Sequence, residues 1–203
     1  MKDFEEIPSK RQKTKLILGV GVNDVNYKVQ YSQGSLKFQC PYYTVWKDML
    51  KRCYDSAFYT KRPTYTQCTV DASWLVFSVF KAWMQEQDWK GKQLDKDIIF
   101  KRNKIYSPKT CIFVSHEINN ILCIKKQLSN TLLGVTHHKQ NNTYRAVCSV
   151  KGKSVSLGYY PTEEEAHSVY ISFKQKHIID LANQQTDKHL KEYLLLRAFD
   201  FML

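Results

Sequence analysis

The sequence predicts an α+β protein: a helical part and a strand–turn–strand–helix unit, then a three-stranded antiparallel sheet packed on one helix. Three observations predict it. Aromatic and aliphatic residues recur at helical spacing in 41–54 and again in 71–87. Three short β-prone segments between Gly134 and Tyr160 are separated by polar turns, one of them at Gly152. Thr162 stands three residues before Glu165 at the head of a long amphipathic stretch, the pattern of a capping box.

The elements follow in order. Residues 1–15 are charged and read as a flexible segment, in which Lys10, Arg11, Lys13 and Lys15 can touch phosphate. Residues 16–22 and 27–31 read as short strands. The Gly19-Val20-Gly21 step lacks the third glycine and the following helix of a nucleotide-binding turn. Pro41 suits a first-turn position, and Tyr43, Trp46, Leu50 and Cys53 line one face of the helix after it. A loop with Lys61, Arg62 and Tyr65 follows, basic and aromatic enough to lie on DNA. Asp71 can cap a second helix over 71–87, with Trp74, Phe77, Phe80 and Met84 inward.

Residues 93–100 read as a strand, 101–104 as a polar turn, and 104–106 as the start of a returning segment broken by Ser107-Pro108. Cys111 to Val114 is apolar again, and Ser115 can cap a helix reaching Cys123 with Ile118, Ile121 and Leu122 inward. Residues 125–130 read as a linker. Strands are then expected from Gly134-Val135, over 144–150 and over 154–160. A helix from Thr162 buries Ala166, Val169, Tyr170, Phe173 and Ile178, and a last helix covers 187–199. The domain boundaries expected are a basic N-terminal segment at 1–38, a central unit at 39–126 and a C-terminal domain at 131–203.

Composition bounds the function. The 203 residues include 31 Lys+Arg against 19 Asp+Glu, a net charge of +12. Residues 1–130 hold 22 basic and 12 acidic side chains, and residues 131–203 hold 9 and 7. Such a surplus suits a polyanionic partner, most often nucleic acid. No apolar stretch is long enough to span a bilayer, so no membrane partner is expected. The opening MKDFEEIPSKRQKTK is charged throughout and unlike a secretory signal, which leads us to expect a cytoplasmic protein. The six cysteines form no Cys-x-x-Cys pair. Cys53, Cys68 and Cys111 lack the tight spacing of a zinc knuckle, so zinc is not expected there.

Gly134-Val135, Tyr144-Arg145-Ala146, Leu157-Gly158-Tyr159-Tyr160, Thr162 and Glu164-Glu165-Ala166 with Tyr170 resemble the ethylene-response-factor (Apetala-type) DNA-binding domain. That family packs a three-stranded antiparallel sheet on one helix and lays the sheet in the major groove. The resemblance implies a DNA-facing sheet surface with Tyr144 or Arg145 together with Thr136, His138, Lys151 and Lys153. An arginine there can read guanine through paired hydrogen bonds, whereas lysines position the backbone.

Tyr43, Trp46, Met49-Leu50, Arg52-Cys53-Tyr54, Pro63, Tyr65, Trp74, Phe77, Phe80 and Trp83 precede Leu94-Asp95, then Tyr106-Ser107-Pro108, Cys111, Val114 and Asn119. This order resembles phage-encoded HNH-type homing-endonuclease relatives that end in an Apetala-type domain. In that fold, called ββα-metal, a strand acid and a helix Asn or His hold one divalent cation and a nearby His takes a proton from the attacking water. Carried over, the resemblance implies Asn119 with Asp95, Asp97 or both as ligands of Mg²⁺ or another divalent cation, and leaves open which of the two carboxylates is ligand and which is base. It places Asp95, Asp97, Asn119 and His116 as the catalytic candidates. Strand alternation puts Asp95 and Asp97 on one side and Lys96 on the other. No histidine stands in the first-strand run from Leu94 to Ile98.

The resemblance implies metal-dependent nicking or cleavage of double-stranded DNA, in the host cytoplasm if the chain is phage-encoded. The alternatives are a catalytically inactive DNA-binding regulator or blocker on the same scaffold, and a phage inhibitor of a host enzyme.

Overall fold

The computed structural model describes residues 4–10, 15–123 and 130–200. Arg11 and Lys13, and residues 125–129 of the expected linker, lie outside the described residues. The chain forms two units, Met1–Phe113 and Val114–Leu203.

The first unit is built on β1 (Gln30–Gln33), β2 (Leu36–Gln39), α1 (Pro41–Tyr54), α2 (Ser56–Lys61), β3 (Thr69–Val70), α3 (Phe77–Gln85), β4 (Gln93–Asp95), β5 (Ile105–Tyr106) and β6 (Ile112–Val114). Helix α1 begins where Pro41 stands, and it buries Tyr43, Trp46, Met49, Leu50 and Cys53. Against it lie Trp74, Phe77, Phe80 and Met84, all fully buried. The Trp46 indole donates to the Trp74 carbonyl at 2.7 Å. Phe77 meets Tyr43 edge-on at 5.2 Å and Trp46 at 5.3 Å.

Three expectations change here. The helix over 71–87 divides into a 3₁₀ turn, Ala72–Leu75, capped by Asp71, and α3. Val76 between them is extended, because Val22 bridges to it: Val22 N–H donates to Leu75 O, and Phe77 N–H donates to Val22 O. The strand over 16–22 is a tight turn, in which Gly21 N–H and Val20 N–H both reach Ile17 O. The glycine at 21 serves packing, since a Cβ there would run into Leu50 and lie 2.9 Å from the Trp46 ring. Residues 4–9 are docked: Pro8 bridges to Tyr27, Lys28 N–H donates to Ile7 O, and Glu6 pairs with Lys81 at 2.5 Å.

The strand pairing of 93–114 also differs. The expected strand over 93–100 ends at Asp95, and the returning segment 105–106 pairs in parallel with Thr69–Val70. The partner of β4 is β6. Along the chain, β5 therefore stands between β4 and its partner Ile112–Val114, and α4 (His116–Leu122) comes next.

The second unit comprises α4 (His116–Leu122), β7 (Val135–His138), β8 (Thr143–Val150), β9 (Lys153–Tyr160), α5 (Glu163–Asn183) and α6 (Lys188–Phe199). Ser115 caps α4 through Ile118 N–H, as its sequence suggests. The strands form one antiparallel sheet in the order β7-β8-β9, and α5 packs along all three. Lys151 and Gly152, at φ +50° and +78°, make a two-residue hairpin turn with the twist such strands favour. Thr162 and Glu165 form a complete capping box at the head of α5, worth about 1 kcal/mol. The core face of α5 carries Ala166, Tyr170 and Ile178 as expected, and also Lys174, which is 3% exposed. Its ammonium donates to the Tyr170 hydroxyl at 3.1 Å, and burial lowers its pKa.

Candidate nucleic-acid interface and carboxylate cluster

The register of the sheet decides which side chains share a face. Val135, Ala146 and Gly158 stand in one row across the sheet, and Val135 and Ala146 are buried with Ala166 against α5. The next row, Thr136, Arg145 and Tyr159, points to the opposite side. Val147 with Ser156, and Ser149 with Ser154, continue that outer face. A β-bulge at Ala146/Val147 sets the second half of β9 back by one residue, so that Ser156 and Tyr159 share it despite their odd spacing. Thr136, Ser149, Ser154, Ser156 and Tyr159 are exposed.

Arg145 lies at the centre of this face. Its Nε donates to the Ser156 hydroxyl at 3.0 Å, and its guanidinium sits 5.9 Å from the centre of the Tyr159 ring. The bond to Nε tethers the guanidinium to the outer face of β9. His138 meets Tyr159 edge-on at 5.4 Å, so the imidazole flanks the same surface.

Of the two alternatives for the central position, the structure places Arg145 outward and Tyr144 inward. Tyr144 packs against the Val135, Ala146 and Ala166 cluster and lies 5.0 Å from His137. Thr136 and His138 hold their expected side. Lys151 is at the hairpin tip. Lys153 pairs with Val150, which gives it the register of the helix-facing row, although at the tip it is exposed. Ser149, Ser154, Ser156 and Tyr159 complete the face. Their alternation was legible in the sequence, but the bulge that brings Ser156 and Tyr159 together was not.

In the first unit, the expected catalytic carboxylates make local bonds. Asp95 Oδ1 accepts the backbone N–H groups of Asp97 and Ile98 at 2.7 and 2.8 Å, an Asx turn that closes the end of β4. Burial pushes the Asp95 carboxyl above its usual range, against the downward pull of those two donors. Lys96 does not point away from Asp97. The chain leaves the strand at Asp95, and the Lys96 ammonium, 6% exposed as a residue, donates to Asp97 Oδ2 at 2.7 Å and to the Asn103 carbonyl at 2.5 Å.

Asp95 and Asp97 belong to the first unit, His116 and Asn119 to the second. Asn119 lies on α4, with its backbone N–H on Ser115 O, and His116 is exposed at the first turn. Among the described residues, no group of three or more His, Cys, Asp or Glu side chains is placed to hold a metal ion. An ammonium stands 2.7 Å from Asp97 Oδ2, and two backbone N–H groups are on Asp95 Oδ1. Cys53, Cys68 and Cys111 are buried, and burial pushes the Cys53 and Cys111 thiols up to about 12.

Lys61 and Arg62 are exposed, at the end of α2 and just beyond it, a helix where the sequence suggested a loop. Lys104 donates to the Thr64 carbonyl at 2.8 Å and so holds the 100–104 loop against this segment. The first unit carries 20 Lys+Arg against 11 Asp+Glu, and the second 11 against 8. No helix among the described residues is long and apolar enough to cross a membrane.

No protein-family model, curated protein or solved structure matches the chain.

Proposed function

We propose that this chain binds double-stranded DNA, with the outer face of β7, β8 and β9 in the major groove and the basic first unit on the phosphate backbone. One observation carries the reading: a three-stranded sheet covered by α5 on one side holds a tethered arginine at the centre of its other, polar side. A sheet of this width fits a major groove, and side chains two residues apart along a strand meet successive base edges. Thr136 and His138 flank Arg145 as shorter polar groups of the same face. The surplus of basic residues in the first unit supplies attraction without sequence preference.

Cleavage is the second reading. It is favoured by the pairing of β4 with β6, with α4 next in the chain, and by the resemblance to HNH-type enzymes. Supercoiled plasmid incubated with the protein and Mg²⁺, then with chelator, separates the two. Binding alone leaves the plasmid supercoiled, while metal-dependent nicking establishes the enzyme.

Binding itself is tested by salt. Each phosphate neutralised by Lys or Arg releases condensed counterions, so affinity for a random duplex should fall ~10³-fold or more between 50 and 200 mM salt if about six contacts form. Titration by fluorescence anisotropy measures the slope. A flat response removes nucleic acid as the partner and leaves an acidic protein surface as the alternative.

A further inference from the structure

The bonds around Asp95, Lys96 and Asp97 have a common result: they brace one loop. Asp95 closes its start through two backbone N–H groups, and Ile98 is buried as its anchor. Lys96 crosses it to the Asn103 carbonyl, and Asn103 Nδ2 returns to the carbonyls of Lys96 and Ile105 at 2.9 and 2.6 Å. Asn103 N–H donates to Phe100 O, which closes the tip. Lys104 ties the far side to Thr64.

What this bracing holds up is not itself packed. Phe100, at the apex, is 56% exposed, and Lys101 and Arg102 beside it are exposed. Arg102 adopts φ +61°, a conformation that non-glycine residues seldom hold without surrounding constraint. An aromatic ring kept in water at a rigid tip, between basic side chains, has the chemistry of a stacking or wedging group that works on nucleic-acid bases. Lys61 and Arg62 lie on the segment tied to the loop by Lys104. Within the loop, Asp97 is paired with the Lys96 ammonium at 2.7 Å.

We propose that the 95–105 loop is a second DNA contact in which Phe100 stacks on an unpaired or easily unstacked base while Lys101, Arg102, Lys61 and Arg62 hold the flanking phosphates. The proposal rests on the DNA-binding reading above and adds the structural class of site preferred: a duplex with a local defect or flexible step. Rigidity suits this task, since a preformed tip loses little freedom on binding.

The test uses the full chain and two duplexes identical except that one carries a single extrahelical base. The wild type should bind the second about 10-fold more tightly, the size of one base-stacking contact. Phe100→Ala should abolish that preference while leaving the melting temperature unchanged. Phe100→Trp should keep the preference. Lys101→Ala combined with Arg102→Ala should weaken both duplexes together. Equal wild-type affinity for the two duplexes, or a preference that survives Phe100→Ala, overturns the proposal and leaves the sheet-binding reading intact. Failure to bind either duplex overturns both.

Discussion

Trp46→Ala should destabilise the first unit by about 3–5 kcal/mol, the range for removing a large buried aromatic from a core. The indole is 0% exposed, lies 5.5 Å from Tyr43 and 5.3 Å from Phe77, and closes over Gly21. Truncation leaves a cavity between α1 and α3 that these rings cannot fill without leaving their own contacts. It also leaves the Trp74 carbonyl buried without the donor now at 2.7 Å, a loss of about 1–3 kcal/mol within the same total. Trp46→Phe should retain most of the packing and lose the hydrogen bond, so its cost should be the smaller of the two. Thermal melting of the full chain, followed by near-ultraviolet circular dichroism, reads both. A loss under about 1 kcal/mol for Trp46→Ala would show that Trp46 is not the centre of that core.

Gly134→Ala should destabilise the second unit by about 2–4 kcal/mol, from two sources. Gly134 sits at φ +77°, where an L side chain costs about 1 kcal/mol. A Cβ there would also penetrate the Tyr170 ring, and forcing a packed aromatic aside costs roughly 1–3 kcal/mol. The position is sensitive because Gly134 O accepts Val147 N–H at 2.8 Å, so displacing it disturbs both the sheet edge and the helix beneath. The pair Gly134→Ala with Tyr170→Ala tests the mechanism. Removing the ring should recover the steric part and leave the backbone part, giving a coupling well above experimental error. Strict additivity would show that the ring is not what the new methyl meets.

Sequence and structure agree where local signals are strong. Helix α1 carries Pro41 at its start and an apolar residue at every helical return, and it spans Pro41–Tyr54. Helix α5 carries its capping box, and the three strands before it fall within a residue or two of expectation. The α+β class follows from these elements. They diverge where a partner far along the chain decides. Val76 has apolar neighbours at helical spacing, yet the bridge to Val22 holds it extended. β3, β4, β5 and β6 are two or three residues each, too short for alternation to reveal, and their pairings follow tertiary packing. The charged residues at 4–9 look solvated in sequence, but Phe4 packs on Tyr31 at 5.7 Å and Glu6 finds Lys81.

The candidate sites show the same limit. Asp95 and Asp97 look like a carboxylate pair on one strand face only if the strand continues past Asp95, which the Asx turn prevents. Lys96 reads as a solvent-facing charge and is instead nearly buried on two acceptors. On the sheet, alternation alone could not choose between Tyr144 and Arg145; pairing of Ala146 with buried Val135 chooses.

In the proposed complex, Arg145 reads bases from the outer sheet face. The measurement that addresses this most directly is the affinity of Arg145→Ala for a duplex selected by the wild-type protein from a random pool, set beside its affinity for unselected duplex. Loss of a bidentate contact to one base should weaken the selected duplex by ~1–3 kcal/mol and the unselected one much less, with specificity relaxed at a single position. Equal losses on both would mean that Arg145 only meets phosphate, and would contradict the assignment of this face to the major groove.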